Sequence, residues 1–521
     1  MNRGAEKQMK KIFALFLVMF ALVPYLVACG TKPVDTNTNT DTDSGKQTDT
    51  ATDTNKDTSS DLTDATESIE KIYSKDTILK NWEGKTLNVL ATRWNTDSPS
   101  PPWSVIELCV SERDDNSGYG SSINNAILDR ADYIKETYGV TINWIQTAAQ
   151  GVPNMIANSL KDGQAGEMYH LAMPRILEAQ NIVEAGVLYD MASSKYIDFS
   201  QSYYSQAMHE AYTVAGHTFF AGGDANFLDE MTCNMMYYNK TMGENFGLDL
   251  YQMVKDGTWT LEALISIAKG IGADDGDGEW TDKDTYGLSL TDPSMLFTTS
   301  GIQQVSVDAD KGEFKVTMDD DRVGLVIDYI LQIRKSTWAR TEWKGGWYAP
   351  VGAFKEGRLL FLNEAVQQLD NFSDVTEIEI GVLPNPKLSD AQEDYVTTCT
   401  YMAVALCIPR TTDDREFSEY FVDVLSWTGQ EMVMNKFYAS MKTKLAQDKG
   451  ASFEILKNYI FDKIIYDNGK FYGYEGLFNQ ALGQSWSSGQ NKFQEVYSDA
   501  SIVALGFVKK WNKTWASYAY N

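Results

Sequence analysis

The sequence has few of the residues that build metal centres and disulfide frameworks. It contains three histidines and five cysteines in 521 residues, and the spacing of His170, His209 and His217 matches no zinc motif. Beyond Cys29 the four remaining cysteines show no diagnostic spacing, so free buried thiols are expected. No nucleophile elbow, zinc-binding helix or phosphate-binding loop occurs. We therefore predict that no metal and no cofactor is bound.

Basic residues are scarce as well. Lys and Arg number 45 against 72 Asp and Glu, and the formal net charge is −27 at pH 7. Nucleic-acid binding and electrostatic docking on anionic lipid both need clustered basic side chains, so neither is expected. The acidic stretch 273–284 raises the alternative of a calcium site. Counted from Asp275, however, the glycine position of an EF-hand loop is occupied by Trp280, and a solvated loop is the better prediction.

The N-terminus carries an apolar run from Ile12 to Ala28 behind several basic residues, which is typical of a secretory signal peptide over residues 1–28. The residues around Cys29 resemble the lipobox of bacterial lipoproteins, which implies that this cysteine is acylated; the alternative is an ordinary secretory signal. Residues 29–66 are almost all small or polar and are predicted to form a disordered spacer. We expect a protein tethered to the extracellular face of the bacterial cell membrane through its lipid.

The remaining body, residues 67–521, is longer than one hydrophobic core usually supports, so two lobes are expected. Its first part alternates strand and helix patterns. The predicted elements are a strand at 87–92, a helix at 122–138, a strand at 140–146, a helix at 153–163 and a strand at 169–173. Such alternation indicates parallel βαβ units and an α/β fold, in which ligands gather beyond the carboxyl ends of the strands.

The second half returns to strands after a helical region. Helices are predicted from an N-cap at Thr260, at 323–335 and at 414–428. Strand patterns lie in AFKEGRLLFLN, EIEIGVLPNPK and TYMAVALCIPR. A chain that crosses between lobes more than once fits this order. The predicted division is a first lobe of about 84–195 and 345–395, and a second of about 200–340 and 400–521.

Four segments carry a family resemblance through their order along the chain. They are VEAGVLYDM, then MYYNKTMGENFGL with GTWTLEAL, then AFKEGRLLFLN, and finally IGVLPNP with ALCIPRTTDDREFSEYFVDVL. Together with the lipobox they resemble the maltose-binding-like extracellular solute-binding proteins of ABC importers. The resemblance implies a type II periplasmic-binding-protein-like fold, with a ligand cleft and a hinge between two α/β lobes. It also implies a monomer that hands a carbohydrate, in particular an oligosaccharide, to permease subunits without acting on it as an enzyme.

The same resemblance implies ligand contacts in loops at the strand ends. Amide, carboxylate and guanidinium groups can pair with sugar hydroxyls, and indole rings can cover the C–H faces. Trp94 and Trp347 are favoured among the tryptophans because polar residues surround them beside predicted strand ends. The candidate ligand-binding residues are Arg93, Trp94, Asp97, Trp103, Arg175, Asp224, Asn226, Asp229, Trp343, Trp347, Tyr348, Asn363 and Glu364.

Other functions stay open on the sequence alone. A surface glycoside hydrolase would need two carboxylates about 5 to 9.5 Å apart across a cleft, and a sequence does not reveal that distance. A sensor or adhesin could use the same fold. Peptides, polyamines or sugar acids are alternative ligands.

Overall fold

The computed structural model describes most of the body of the chain. The described residues are 82–92, 109–110, 112–113, 119–147, 151–162, 168–318, 320–346, 348–400, 402–471 and 476–518. The predicted signal peptide, Cys29 and the spacer lie outside the described residues, and so do five candidate ligand-binding residues. These five are Arg93, Trp94, Asp97, Trp103 and Trp347.

The first sheet contains three parallel strands in the order β2-β1-β3. Its strands are β1 (Thr86–Thr92), β2 (Thr141–Thr147) and β3 (Leu171–Met173), joined by helices α1 (Tyr119–Tyr138) and α2 (Gly151–Asp162). Central β1 is buried from Val89 onwards because helices and strands cover both of its faces. Each of these elements was predicted from hydrophobic periodicity, and the structure confirms them to within a few residues.

The second sheet has five strands in the order β10-β7-β11-β6-β12. They are β6 (Asn234–Asn239), β7 (Tyr286–Ser289), β10 (Ala339–Arg340), β11 (Leu359–Ala365) and β12 (Ile380–Leu383). Strands β7, β10 and β11 are parallel, and β6 runs antiparallel to both β11 and β12. Every residue of β6 and of β11 is buried, so these two strands form the centre of the second core.

The other described elements surround these two sheets. The helices are α3 (Ala179–Glu184), α4 (Gln206–Tyr212), α5 (Leu228–Thr232), α6 (Lys240–Asn245), α7 (Leu250–Lys255), α8 (Leu261–Lys269), α9 (Met295–Thr299), α10 (Arg322–Arg334), α11 (Ala349–Lys355), α12 (Arg415–Thr428), α13 (Asn435–Lys444), α14 (Ala451–Tyr459), α15 (Asn468–Phe471), α16 (Gly476–Ser488) and α17 (Phe493–Trp515). Two hairpins pair β4 (Thr213–Val214) with β5 (His217–Thr218), and β8 (Val305–Asp308) with β9 (Glu313–Val316). The predicted N-cap of α8 is confirmed, because Thr260 accepts a hydrogen bond from the first turn. Asp414, where the next predicted helix was expected to begin, is the N-cap of α12 in the same way.

Two chain segments cross side by side between the sheets and form what we call the hinge, residues 232–234 and 397–400. Cys233 and Cys399 pair across it, and Asn234 N–H donates to the Thr398 carbonyl at 3.1 Å. A third segment joins them, since Ile465 N–H donates to the Thr397 carbonyl at 2.8 Å. The predicted repeated crossing between lobes is therefore present.

The lobe boundaries differ from the predicted ones. Residues 345–395 were assigned to the first lobe, yet β11 and β12 hydrogen-bond to β6 and lie in the second sheet. Conversely, Cys407 pairs with Ala172 beside the first sheet, and Phe417 of α12 packs 5.0 Å from Trp82. The reason is physical: periodicity identifies a strand but not its hydrogen-bonding partner, which comes from a distant part of the chain.

The cysteines at 109, 233, 399 and 407 form no disulfide in the described part of the chain. The burial predicted for their thiols is found at Cys233, Cys399 and Cys407, whereas Cys109 is half-buried. Among the described residues no helix combines the length and the apolar character needed to cross a membrane.

The C-terminal helices contact elements around both sheets. In α17, Trp515 donates its indole N–H to Gln180 of α3 at 3.1 Å. Between α16 and α17, Asn491 donates to Asp328 of α10 at 2.9 Å. No role for residues 441–521 could be predicted from the sequence. These contacts show that the described part of this segment packs against the rest of the body.

Candidate functional site

Polar residues gather where the strands of both sheets end. In the first sheet β3 ends just before Arg175, and in the second sheet β11 ends beside Asn363 and Glu364. The carboxyl ends of parallel strands share one edge of a sheet, where α/β proteins bind their ligands. A ligand site is therefore expected at these edges or at the hinge next to them.

Asn363 is part of a buried amide network at this edge. Its Nδ2 donates to the Asn234 side chain at 2.7 Å and to the Asn385 side chain at 2.6 Å. Thr397 of the hinge donates to the Asn234 carbonyl at 2.5 Å. The network links β11 with the hinge, so the amide group of Asn363 has a structural role. Its predicted contact with a ligand stays a prediction.

Glu364 is buried at the end of β11, with 4% of its surface exposed. Burial raises the pKa of its carboxyl group to about 7, and the charge of Asp292 adds to this, while hydrogen bonds from Ala365, Gln368 and Thr291 act in the opposite direction. Among the described residues, nothing donates a hydrogen bond to Glu364 Oε1. This oxygen is itself buried, and the contact between Glu364 and a ligand stays a prediction.

Arg175 is buried next to Glu178, with its Nη2 3.6 Å from Glu178 Oε1. Burial raises the pKa of Glu178, and the charge of Arg175 counteracts that shift. The guanidinium thus neutralises an internal carboxylate. The predicted contact between Arg175 and a ligand stays a prediction.

A cavity of about 360 Å³ lies beside the hinge, and two of the predicted ligand-binding residues, Asp224 and Asp229, line it. It is lined by residues 202–207, 223, 224, 229, 230, 430, 434, 435, 438, 461, 462, 464 and 466. The aromatic side chains are Tyr203, Tyr204, Tyr438, Phe461 and Tyr466, and the carboxylates are Asp224, Asp229, Glu230 and Asp462. No lysine, arginine or histidine occurs among the described residues that line it. We call this space the hinge cavity.

Asp224 is held by a close approach of two backbone segments. Gly223 has φ = 117°, and a Cβ there would lie 2.3 Å from the Tyr203 carbonyl oxygen, so only glycine fits. A Cβ on Gly429 would likewise lie 1.9 Å from the Asp224 carbonyl oxygen. The next residue, Gln430, donates to Asp224 Oδ2 at 2.7 Å. Burial raises the pKa of Asp224 to about 7, although that hydrogen bond works against the shift.

Asp229 and Glu230 lie on α5, immediately before the hinge. Asp229 is 3% exposed, and its Oδ2 accepts from the Tyr466 hydroxyl at 3.1 Å. Within the described part of the chain no N–H or O–H group donates to Asp229 Oδ1 or Glu230 Oε2. Burial raises the pKa of both carboxyl groups, and the charge of Asp229 raises that of Glu230 further. Each of the two therefore holds a proton more readily than a carboxyl group in water.

The remaining described candidates lie elsewhere. Asn226 stabilises the turn that leads into α5, since its Oδ1 accepts from Leu228 N–H at 2.8 Å, which is a structural role. Trp343 donates its indole N–H to Ser289 at 3.1 Å beside β7 and packs on Tyr286 at 6.1 Å. Tyr348 is exposed. None of these three lines the hinge cavity. The structure therefore does not bring the predicted ligand-binding residues together at one place.

The acidic loop 273–284 holds its carboxylates by local bonds. Asp274, Asp275 and Asp277 could bring ligand atoms within 4.8 Å of one another. Asp274 Oδ1, however, accepts from the N–H groups of Gly276 and Gly278, at 2.7 and 3.1 Å. These are the bonds of a turn, and the solvated loop remains the prediction.

Several lining residues were not predicted from the sequence. Glu230 adjoins the predicted Asp229, and Tyr438 lies within the segments that carry the resemblance. Asp462 and Tyr466 come from residues 441–521, for which no role was predicted. The stretch FDKIIYD at 461–467 places acidic and tyrosine side chains around an apolar pair. This combination of acidic and tyrosine residues is the sequence feature that could have indicated a wall of the cavity.

Comparison with known proteins identifies the fold. No protein-family model matches the chain, and no curated protein is similar to it in sequence. Among solved structures, the cyclic α-maltosyl-1,6-maltose binding protein of Arthrobacter globiformis shares 13% identity, with 82% of this chain and 98% of that chain covered and a TM-score of 0.52. The chain has the two-lobed fold of solute-binding proteins.

Two further structures agree with this. A cyclo/maltodextrin-binding protein complexed with maltotetraose gives 14% identity, 84% and 100% coverage, and a TM-score of 0.51. The galacto-N-biose-/lacto-N-biose I-binding protein of the ABC transporter from Bifidobacterium longum, in complex with lacto-N-biose, gives 15% identity, 82% and 98% coverage, and a TM-score of 0.51. The predicted two-lobed α/β fold is confirmed, and at these identities the likeness concerns the fold.

Proposed function

We propose that this protein captures a carbohydrate, in particular an oligosaccharide, between its two lobes and delivers it to the permease subunits of an ABC importer. The observation that carries this proposal is the pair of α/β sheets joined by crossing strands at a hinge. Three sugar-binding solute-binding proteins share this fold. Hinge closure around a ligand is the motion that such an architecture permits.

The hinge cavity supports the proposal by its size and chemistry. A volume of about 360 Å³ falls within the range of small-molecule sites. Tyrosine rings can cover the C–H faces of a sugar, and the side chains of Gln430, Asn435 and Ser205 can pair with its hydroxyls. The wall therefore combines apolar surface with polar groups that fix orientation.

The comparisons favour binding over hydrolysis. The three solved structures that share this fold are all described as binding proteins, two of them in complex with a sugar.

The proposal predicts that one family of sugars raises the melting temperature of the purified protein. A ligand at 100 times its dissociation constant stabilises the folded state by about 2.7 kcal/mol. The measurement is the melting temperature against a panel of mono- and oligosaccharides, peptides and polyamines, followed by analysis of the recovered ligand. Unchanged sugar is expected. A shift with peptides alone, or recovery of cleaved sugar, would contradict the proposal.

We also propose that a lipid on Cys29 anchors the protein outside the membrane. The support is the lipobox-like sequence around Cys29 and the polar spacer that follows. In cells, Cys29→Ala is expected to move most of the protein from the membrane fraction into the medium or to leave its precursor unprocessed. The matched control is Cys109→Ala, which should stay with the membrane. Equal membrane retention of both variants, with the leader removed from each, would refute the anchor.

A further inference from the structure

The hinge cavity has an unbalanced charge. Asp224, Asp229 and Glu230 line it together, and no described basic residue does. Asp229 is 97% removed from solvent, and no N–H or O–H group of the described chain donates to its Oδ1. Buried carboxylates are costly unless a cation, a proton or several donors compensate them. The cavity therefore requires a positive partner or a proton from outside the protein.

The arrangement suits an organic cation better than a metal ion. Within the described residues, the acidic group whose ligand atoms come within 4.8 Å of one another is the one around Asp275, in a separate loop. No three of the four carboxylates that line the cavity bring their ligand atoms so close together. Four tyrosines line the same space of about 360 Å³, and aromatic faces attract ammonium groups.

We infer that the hinge cavity binds the protonated amine of the captured solute, which makes an amino sugar the ligand class. The sugar part of this inference rests on the proposed function, and the amine part rests on the cavity alone. Without ligand, burial favours the protonated form of the Asp229 and Glu230 carboxyl groups. When the ammonium group enters, it donates hydrogen bonds to both carboxylates, and a proton held by one of them leaves to solvent. Charge and atoms balance, because one cation replaces another.

Isothermal titration of the purified full chain tests this with glucosamine, N-acetylglucosamine and glucose. These probes share one ring and differ in a single substituent, which is an ammonium, an acetamide or a hydroxyl group. Glucosamine is expected to bind at least tenfold more tightly than the other two. Titration in two buffers of different ionisation enthalpy should show proton release with glucosamine alone. Equal affinities, or no binding of glucosamine, would overturn the inference and leave the wider sugar panel to decide the proposed function.

Asp229→Asn separates the charge from the shape of the site. This variant should lose at least tenfold in glucosamine affinity and should release no proton, while the affinity for neutral sugars changes less than threefold. Glu230→Gln provides a second test if the first variant folds poorly. Glu377→Gln removes an equal charge from an exposed position and should change nothing. Unaltered glucosamine binding in the folded Asp229→Asn and Glu230→Gln variants would exclude the assigned role. Tight binding of putrescine with no sugar bound would support the amine site and refute carbohydrate capture.

Discussion

Replacing Trp515 by alanine is expected to lower the free energy of unfolding by about 3 to 5 kcal/mol, the usual range for truncating a buried tryptophan. Trp515 has no exposed surface. Its ring packs 5.0 Å from Phe219 and 5.8 Å from Phe314, and its indole N–H donates to Gln180. The alanine variant would leave a cavity among these rings and remove the donor from a buried amide oxygen.

The measurement is the urea midpoint of unfolding of the purified protein, monitored by tryptophan fluorescence and by circular dichroism. Ile502→Ala is the matched control, because Ile502 lies on the same helix with 69% of its surface exposed and should change stability by less than about 0.5 kcal/mol. Similar small effects of both substitutions would mean that α17 is not docked on the first lobe. A much larger loss of stability for Trp515→Ala than for Ile502→Ala would show that the packing of α17 on the body stabilises the fold.

Local structure could be predicted from the sequence because it depends on neighbouring residues. The alternation in β1 and the three- and four-residue spacing in α1 are properties of single segments, and both elements are found where they were expected. The lobe boundaries depend on pairing between distant segments. β11 pairs with β6 more than 120 residues earlier in the chain, between Ala365 and Asn234 for example, and no local pattern encodes that choice.

The lining of the hinge cavity could be predicted only in part, and its role as the ligand site stays a prediction. Asp224 and Asp229 were selected because the resemblance places ligand contacts just before the strand that enters the second lobe, and both line the hinge cavity. Tyr466, the hydrogen-bond partner of Asp229, is 237 residues further along the chain. Only the folded chain brings it to Asp229, so the aromatic side of the cavity could not be derived from the sequence.

Asp224→Asn is expected to stabilise the ligand-free protein at pH 8 by about 2 to 4 kcal/mol. Burial raises the pKa of this carboxyl group to about 7, against an ordinary value of 3.8. Between these two values the folded state binds more protons than the unfolded state, so stability falls as the pH rises from about 4 to about 7. A shift of about three units corresponds to at most about 4 kcal/mol. Asparagine removes the charge and keeps an oxygen that accepts from Gln430.

The urea midpoints of the wild type and the variant between pH 4 and pH 8 measure this effect. The two curves should meet near pH 4 and separate as the pH rises. Asp374→Asn serves as the control with the opposite sign, because a hydrogen bond from Lys355 lowers the pKa of the Asp374 carboxyl group and its charge is favourable in the folded state. A variant at position 224 that is no more stable than the wild type at pH 8 would show that the Asp224 charge is already compensated. A stabilised variant would mean that the negative charge of Asp224 is unfavourable in the ligand-free protein. A cationic ligand that neutralises this charge would then gain the same free energy on binding.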